Sequence, residues 1–184
     1  AAVGTYDIVP SAAQGTGLAN YAITYTPGTL TVDKKGLTIA ANNRGKTYGE
    51  TVTFGGTEFT PVGLESFDSI TSVTLTSDGV PATAVVDIYI ITVDSAQGTG
   101  LDNYAITYTP GTLTVNKKGL AITANDQNKA YGTLFTFNGT EFTSDGLVNT
   151  DTVSGVTLTS DGAPTVAAVG TYDIVPSAAQ GTGL

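Results

Sequence analysis

The stretch that decides the fold is Asn103-Tyr-Ala-Ile-Thr-Tyr-Thr-Pro-Gly-Thr-Leu-Thr-Val115. Its apolar residues alternate with polar ones on both sides of Pro-Gly, which predicts two half-buried strands joined by a type II or related tight turn. The same thirteen residues occur at Asn20–Val32, 83 positions earlier, and both copies continue through one residue into Lys-Lys-Gly. We therefore interpret the stretch as the closing hairpin of a repeated unit.

Shifting the sequence by 83 positions aligns the whole chain with itself without a gap. Thr74–Gly79 return as Thr157–Gly162, and at twice the offset Val3–Leu18 return unchanged as Val169–Leu184. A gap-free repeat predicts similar modules in series. Taking Lys-Lys-Gly as the boundary, we interpret residues 1–34 as the closing strands of one module, 35–117 as a complete module, and 118–184 as a module lacking its final hairpin.

The composition indicates an all-β protein. Thr is the commonest residue, and Gly, Pro and Asp-Gly supply turns between β-branched and aromatic runs. In the complete module, strands are predicted at residues 37–41, 70–76 and 86–93, and a short hairpin pairs residues 51–54 with 58–59. The junction between modules is only two or three residues long, which predicts tandem modules stacked end to end in an elongated, semi-rigid rod.

Other segments of the complete module are less regular. The spacing of Leu64, Phe67 and Ile70 predicts one or two helical turns. Residues 46–49 are expected to form an irregular corner that buries Tyr48, and residues 97–100 a glycine-rich loop between strands. At Ile88 and Ile90 two apolar residues replace the polar residues of the other copies; neutral drift is favoured there over a partner surface, because singly exposed apolar residues are common.

Charge and composition exclude several functional classes. The net charge of −9 with seven basic residues offers no basic stripe for nucleic acid or an anionic membrane. The chain has no Cys, so neither disulfides nor thiolate chemistry is available. No apolar run reaches membrane-spanning length, and the missing initiator Met and signal peptide are expected of a mature fragment or an excised piece.

The residues that most enzymes use are scarce. The chain has no His, and its carboxylates fall in turns such as Asp78-Gly79, so we expect no enzyme activity and no catalytic, cofactor-binding or metal-binding residues. Calcium is a minor alternative, since no Asp-x-Asp-x-Asp loop occurs. A Lys–Glu pair is repeated as Lys46 with Glu58 and Lys129 with Glu141; solvated charges are favoured there over a covalent cross-link.

The ragged ends of the periodic sequence leave three alternatives open. The chain can be a window on a longer array, a subunit that polymerises by donor-strand exchange, or a piece cut arbitrarily, with frayed ends. The identity of Val3–Leu18 with Val169–Leu184 favours the window, and strand exchange is its main rival.

The combined motifs resemble a known family. Lys46-Thr-Tyr-Gly49 and Lys129-Ala-Tyr-Gly132, together with the opening stretch, are similar to the MBG repeat of the YGX type. The resemblance implies a β-grasp-like fold and long tandem arrays in large secreted or surface-attached bacterial proteins, many of them adhesin-like. It assigns no catalytic or ligand-binding residue.

These observations lead to an expected function of structural support. We expect a repeat segment of an extracellular bacterial stalk, adhesin or filament, located outside the cell or on its surface, that gives length and stiffness. Its expected partners are neighbouring identical modules or copies of the same chain, assembled head to tail. The alternatives are a donor-strand-exchange subunit, or an adhesive module that binds a glycan or a host protein.

Overall fold

The computed structural model describes residues 1–184 and consists almost wholly of β-strands and their connections. Its only helical segments are two 3-10 turns of three residues, Leu18–Asn20 and Leu101–Asn103. The all-β class is therefore confirmed. The strands, in chain order, are β1 Gly4–Ile8, β2 Gly28–Val32, β3 Lys35–Ala41, β4 Arg44–Thr47, β5 Phe59–Val62, β6 Ser69–Thr76, β7 Ile88–Thr99, β8 Tyr104–Thr109, β9 Gly111–Asn116, β10 Ala121–Ala124, β11 Phe142–Asp145, β12 Thr152–Thr159 and β13 Val175–Thr182.

The strands form five sheets. Three are two-stranded, β1–β2, β10–β11 and β12–β13; a three-stranded sheet has the order β5–β3–β8, and a four-stranded sheet the order β4–β9–β7–β6. Most pairs are antiparallel, but β3 and β8 are parallel, with Leu37 opposite Ile106. A parallel pair needs a long crossover, and here the residues between β3 and β8 provide it.

The contacts divide the chain into two compact units. The first unit contains residues 1–44, 53–78 and 89–113, and the second contains residues 45–52, 79–88 and 114–184. Each unit therefore draws residues from more than one copy of the 83-residue repeat. The three-module division made from the sequence remains a prediction.

The core is built from alternating residues of the central strands. In the first unit Leu37, Ile39, Ile91 and Leu113 are all at most 1% exposed. In the second unit Val115 is equally buried, and Val156 and Leu158 are buried on β12. Burying such aliphatic side chains stabilises the fold by about 1.5–3 kcal/mol each.

The predicted closing hairpin is wrong in its pairing, although both of its strands exist. β8 pairs with β3 in one sheet, whereas β9 lies between β4 and β7 in another. Only Pro110 separates them, and one residue is too short for the two-residue loop that a hairpin requires. Gly111 has no positive φ, so the expected type II turn is absent; a Cβ on Gly111 would lie 2.6 Å from the Ala41 carbonyl oxygen. The chain therefore changes sheets here.

Two further predictions in the complete module are wrong. Residues 51–54 form no strand, and β5 pairs with β3 instead, placing Phe59 opposite Ala41. The segment around Leu64 and Phe67 forms a turn and not a helix, and Phe67 is 80% exposed, because its apolar spacing has no core to face.

The strands predicted at residues 37–41, 70–76 and 86–93 are confirmed as β3, β6 and β7. β7 begins at Ile88 and runs on to Thr99, so most of the predicted glycine-rich loop at residues 97–100 is strand. A Cβ on Gly98 would lie 1.9 Å from the Ser69 carbonyl oxygen, which explains a glycine within the β6–β7 pair.

Candidate functional site: the corner at Lys46 and the joint to the next repeat

A buried lysine holds the corner that contains the first Tyr-Gly motif. Lys46 is 5% exposed, and its Nζ donates hydrogen bonds to the carbonyl oxygens of Glu50 at 2.9 Å and Val80 at 3.3 Å, and to that of Pro81. Burial lowers the pKa of Lys46, and the nearby charge of Glu50 opposes that shift. The ammonium group thus ties residues 46–50 to residues 80–81 within the second unit.

The corresponding lysine of the next repeat makes the same bonds. Lys129 Nζ donates to the carbonyl oxygens of Thr133 at 3.1 Å and Ala163 at 3.0 Å, and to that of Pro164. Lys129 is half-buried, whereas Lys46 is buried. The sequence interpretation of both lysines as solvated charges is therefore wrong, and the predicted burial of Tyr48 is wrong too, since Tyr48 is only half-buried.

The glutamates that the sequence paired with these lysines serve a turn instead. Glu58 accepts hydrogen bonds from the backbone N–H of Gly55 at 2.9 Å and of Thr57 at 3.0 Å. Glu141 accepts the matching bonds from Asn138 at 3.0 Å and Thr140 at 3.1 Å. The Gly55 and Asn138 N–H groups are the main causes that lower the pKa values of Glu58 and Glu141, respectively. Each glutamate directly precedes a strand, β5 or β11. This shared position was the sequence signal that could have indicated their role in the turn.

The corner also meets residues of the following repeat. Val148 lies so close to Gly49 that a Cβ added to Gly49 would be 2.7 Å from its Cγ2. The Asn149 side-chain amide donates to the Ala82 carbonyl oxygen at 3.2 Å, the same oxygen that accepts from the Gly49 backbone N–H. We call these four residues, Gly49, Ala82, Val148 and Asn149, the joint. All of them belong to the second unit.

The joint depends on a difference between the copies. Val148 and Asn149 stand where the preceding repeat has Glu65 and Ser66. Glu65 forms an ion pair with Lys35 within the first unit. The hydrogen bond to Glu65, together with the charge of Glu65, raises the pKa of Lys35. Sequence reasoning missed the joint, although the change from a charged to an apolar residue between near-identical copies was its signal.

An open cleft occupies one side of the last repeat. Its volume is about 780 Å³, and its lining includes Phe135, Phe137 and Ile174. The two phenyl rings pack edge to face with centroids 5.0 Å apart. In the preceding repeat the residue equivalent to Ile174 is Ile91, which is fully buried. The cleft therefore lies where the complete repeat has a closed core.

Three other features of the chain concern metal binding, exposed apolar residues and membrane spans. No three His, Cys, Asp or Glu side chains of the chain converge closely enough to hold a metal ion. Ile88 and Ile90 are 65% and 63% exposed, so their outward placement is confirmed. The chain contains no helix with the length and hydrophobicity needed to cross a bilayer.

Comparison with known families agrees with the motifs. The model of the MBG domain (YGX type) matches residues 1–31, 37–114 and 120–182. No curated protein and no solved structure matches the chain significantly. The matched residues make up most of the chain and include both Tyr-Gly corners, at Tyr48-Gly49 and Tyr131-Gly132. The chain belongs to the MBG domain (YGX type) family.

Proposed function

We propose that this chain is a structural repeat segment of an extracellular bacterial stalk, adhesin or filament, and that it provides length and stiffness. The joint carries this proposal, because residues of two successive repeats pack in one compact unit. A freely swinging connection would leave the repeats as separate units joined by a solvated linker.

The connection between repeats supports restricted motion. β9 ends at Asn116 and β10 begins at Ala121, so four residues connect these strands. The Asn116 carbonyl oxygen accepts from the Tyr48 backbone N–H at 2.9 Å, and the Asn116 side chain donates to the Lys46 carbonyl oxygen at 3.3 Å. The start of the connection is thereby fastened to the corner that carries the joint.

Family membership supports the cellular location and the partners. MBG domains are typically found in surface proteins, which fits a location outside the cell or on the bacterial surface. The partners we propose are neighbouring repeats and copies of the same chain. Protease treatment of intact cells tests the location, because a surface protein is cleaved while a cytoplasmic marker survives.

The proposal assigns no catalytic activity to the chain. Its support is chemical, since the chain has no His and its turn glutamates are engaged with backbone N–H groups. Reproducible turnover of a polysaccharide or a peptide by the purified chain would contradict this part of the proposal.

Stiffness is tested by a distance measurement across the joint within the second unit. Thr51 and Thr157 are exposed positions of two successive repeats in that unit, and the absence of Cys allows each to be replaced by a spin-labelled cysteine. Pulsed electron paramagnetic resonance on the Thr51→Cys/Thr157→Cys chain should give one narrow distance distribution. A broad distribution, as wide as that of a flexible linker, would overturn the proposed role.

A further inference from the structure

We propose that the complete repeat, residues 35–117, is a load-bearing unit in which the paired strands β3 and β8 resist tension along the chain in shear. This inference deepens the proposed function and rests on it, because a surface stalk or adhesin transmits tension when its two attachments are pulled apart. Length and stiffness do not by themselves require such resistance. The observation that carries the inference is the direction in which the two strands pair.

Tension reaches this repeat at two defined points. The chain enters it through Asp33 and Lys34, directly before β3, and leaves it through Lys117 and Lys118, directly after β9. Further residues precede the first connection and follow the second, so both are internal to the chain. A pull on the flanking residues therefore acts on the start of β3 and on the end of β9. Only Pro110 separates β9 from β8, so the pull on β9 is passed on to the end of β8.

The two loaded points lie at opposite ends of the β3–β8 pair. The strands are parallel over six residue pairs, from Lys35 opposite Tyr104 to Ala40 opposite Thr109. The pull on β3 acts at Lys35, whereas the pull on β8 arrives next to Thr109. Two parallel strands drawn from opposite ends slide past each other, and the evenly spaced hydrogen bonds between them bear the load together. Separation then requires several bonds to break at once, which slows forced unfolding.

An antiparallel pair loaded at its chain ends would resist less. In such a pair the start of one strand lies beside the end of the other, so both loaded points fall at one end of the pair. A pull there opens the hydrogen bonds one after another, beginning at the loaded end. β3 also has an antiparallel partner, β5, but β5 belongs to the crossover between β3 and β8 and is not loaded directly.

Hydrogen bonds beyond the two strands continue the same register. All partners in the β3–β8 pair are 69 positions apart. The Thr112 backbone N–H donates to the Asn43 side-chain oxygen Oδ1 at 2.8 Å, and these residues are also 69 positions apart. Within the second unit, the Tyr48 backbone N–H donates to the Asn116 carbonyl oxygen at 2.9 Å. Residues up to the exit of the repeat are thus bonded to residues that follow β3, and these bonds add to those that sliding must break.

Neither loaded strand lies at the edge of its sheet. β3 lies between β5 and β8, and β9 lies between β4 and β7. The β3–β5 pair extends from Thr38 opposite Val62 to Ala41 opposite Phe59. Pulling either loaded strand out of its sheet therefore breaks hydrogen bonds on both of its sides.

The loaded strands also carry the most deeply buried side chains. Leu37 and Ile39 on β3, and Leu113 and Val115 on β9, are at most 1% exposed. Tyr104, at the start of β8, is 4% exposed. Displacing these strands along their length would bring apolar side chains into water, which is unfavourable. Burial therefore opposes the same motion as the hydrogen bonds.

Pulling one protein in two directions tests the inference. Asp33, Asp102 and Lys117 are exposed, and the chain has no Cys, so cysteines at these positions can carry the handles for single-molecule force spectroscopy. In the Asp33→Cys/Lys117→Cys chain the handles load β3 and β8 in shear. The Asp33→Cys/Asp102→Cys chain is the matched control. Asp102 lies just before the start of β8, which is opposite the start of β3, so its handles open the same pair from one end.

The shear geometry should require the larger force. At one loading rate, the Asp33→Cys/Lys117→Cys chain should unfold at a force at least about twice that of the control, because several bonds must break together. Urea unfolding of both chains without load should give the same midpoint, which assigns the difference in force to the pulling direction. Equal forces, or a smaller force for the Asp33→Cys/Lys117→Cys chain, would overturn the inference.

The failures of the two proposals are distinguishable. A narrow distance distribution between labels at positions 51 and 157, with equal unfolding forces in the two pulling directions, removes the load-bearing pair and leaves the stiff segment. A broad distance distribution with a larger force in shear removes the stiffness and leaves the load-bearing pair.

Discussion

Val148 occupies the space that a side chain on Gly49 would need, at 2.7 Å from the position of its Cβ. Gly49 also has φ 90°, a backbone conformation that disfavours residues with a Cβ. Both requirements fall on the glycine of the first Tyr-Gly motif. Its counterpart Gly132 has φ 85° but no neighbouring atom within 4 Å of the same position. Comparing the two glycines therefore distinguishes the effect of backbone conformation, which they share, from the effect of packing, which only Gly49 experiences.

Replacing each glycine by alanine should give different losses of stability. Gly49→Ala should lower the free energy of unfolding by roughly 2–4 kcal/mol, because overpacking adds to backbone strain. Gly132→Ala should cost only about 1 kcal/mol, from strain alone. Guanidinium unfolding followed by circular dichroism measures both. Equal losses for the two variants would show that Val148 does not constrain Gly49.

A charge introduced at the joint should loosen it. Val148→Asp replaces an apolar side chain that packs against Gly49 with a carboxylate, which is costly to desolvate there. The distance distribution between spin labels at positions 51 and 157 should broaden. Val169→Asp is the control, because Val169 is 90% exposed, and it should leave the distribution unchanged. A narrow distribution in the Val148→Asp chain would contradict the role given to the joint.

Replacing the buried Lys46 should destabilise the fold more than replacing its half-buried counterpart Lys129. Lys46→Met keeps the aliphatic length but removes the ammonium donor from the carbonyl oxygens of Glu50, Val80 and Pro81, of which the last two keep a backbone N–H donor; the loss should cost about 1–3 kcal/mol of stability. Lys129→Met should cost less, because water can reach the carbonyl groups around Lys129. Urea unfolding of the two variants measures the difference. A larger loss for Lys129→Met would contradict this account.

Tyr104 and Tyr21, which are equivalent positions of two copies, allow another matched comparison. The Tyr104 hydroxyl donates to Asp68 Oδ2 at 2.7 Å and accepts from the Glu65 backbone N–H at 3.0 Å. Tyr104→Phe removes both bonds at a buried position, so the unfolding midpoint in guanidinium should fall. Tyr21 is the equivalent residue and is 73% exposed, so Tyr21→Phe should leave the midpoint unchanged. Identical midpoints for the two variants would show that the buried hydroxyl contributes nothing.

Stability should depend on pH through the turn glutamates. Glu58 and Glu141 have folded-state pKa values below their usual value of 4.5. The unfolded chain therefore binds protons first as the pH falls, and the stability contributed above pH 4.5 is lost as the pH drops through the folded-state values. Denaturant titrations between pH 6 and pH 2 should show this decline, and Glu58→Gln/Glu141→Gln should make it shallower. A double variant with an unchanged slope would assign the decline to other carboxylates.

The local sequence pattern predicted which residues form strands better than it predicted which strands pair. The alternation at residues 37–41 predicted β3 because one face of that strand is buried. Its parallel partner β8 lies 69 residues further along the chain, counted from Lys35 to Tyr104, and no local pattern encodes such a pairing. The hairpin assumed for residues 103–115 failed for that reason.

At the corner, too, the local sequence did not reveal contacts between distant segments, here contacts of single side chains. Lys46 looks like a surface charge in the sequence, since the carbonyl groups of Val80 and Pro81 that surround it come from a separate loop. The contact of Val148 with Gly49 likewise joins residues that are far apart in the sequence. Comparing the copies would have indicated Val148, because its equivalent is the charged Glu65.

The identity of residues 3–18 with residues 169–184 has an evolutionary consequence. A gene that gains or loses whole blocks of 83 codons keeps the strands in the same register. Recombination between such blocks therefore changes the span of the polypeptide without requiring compensating mutations. The length of the polypeptide can therefore change in steps of one whole repeat.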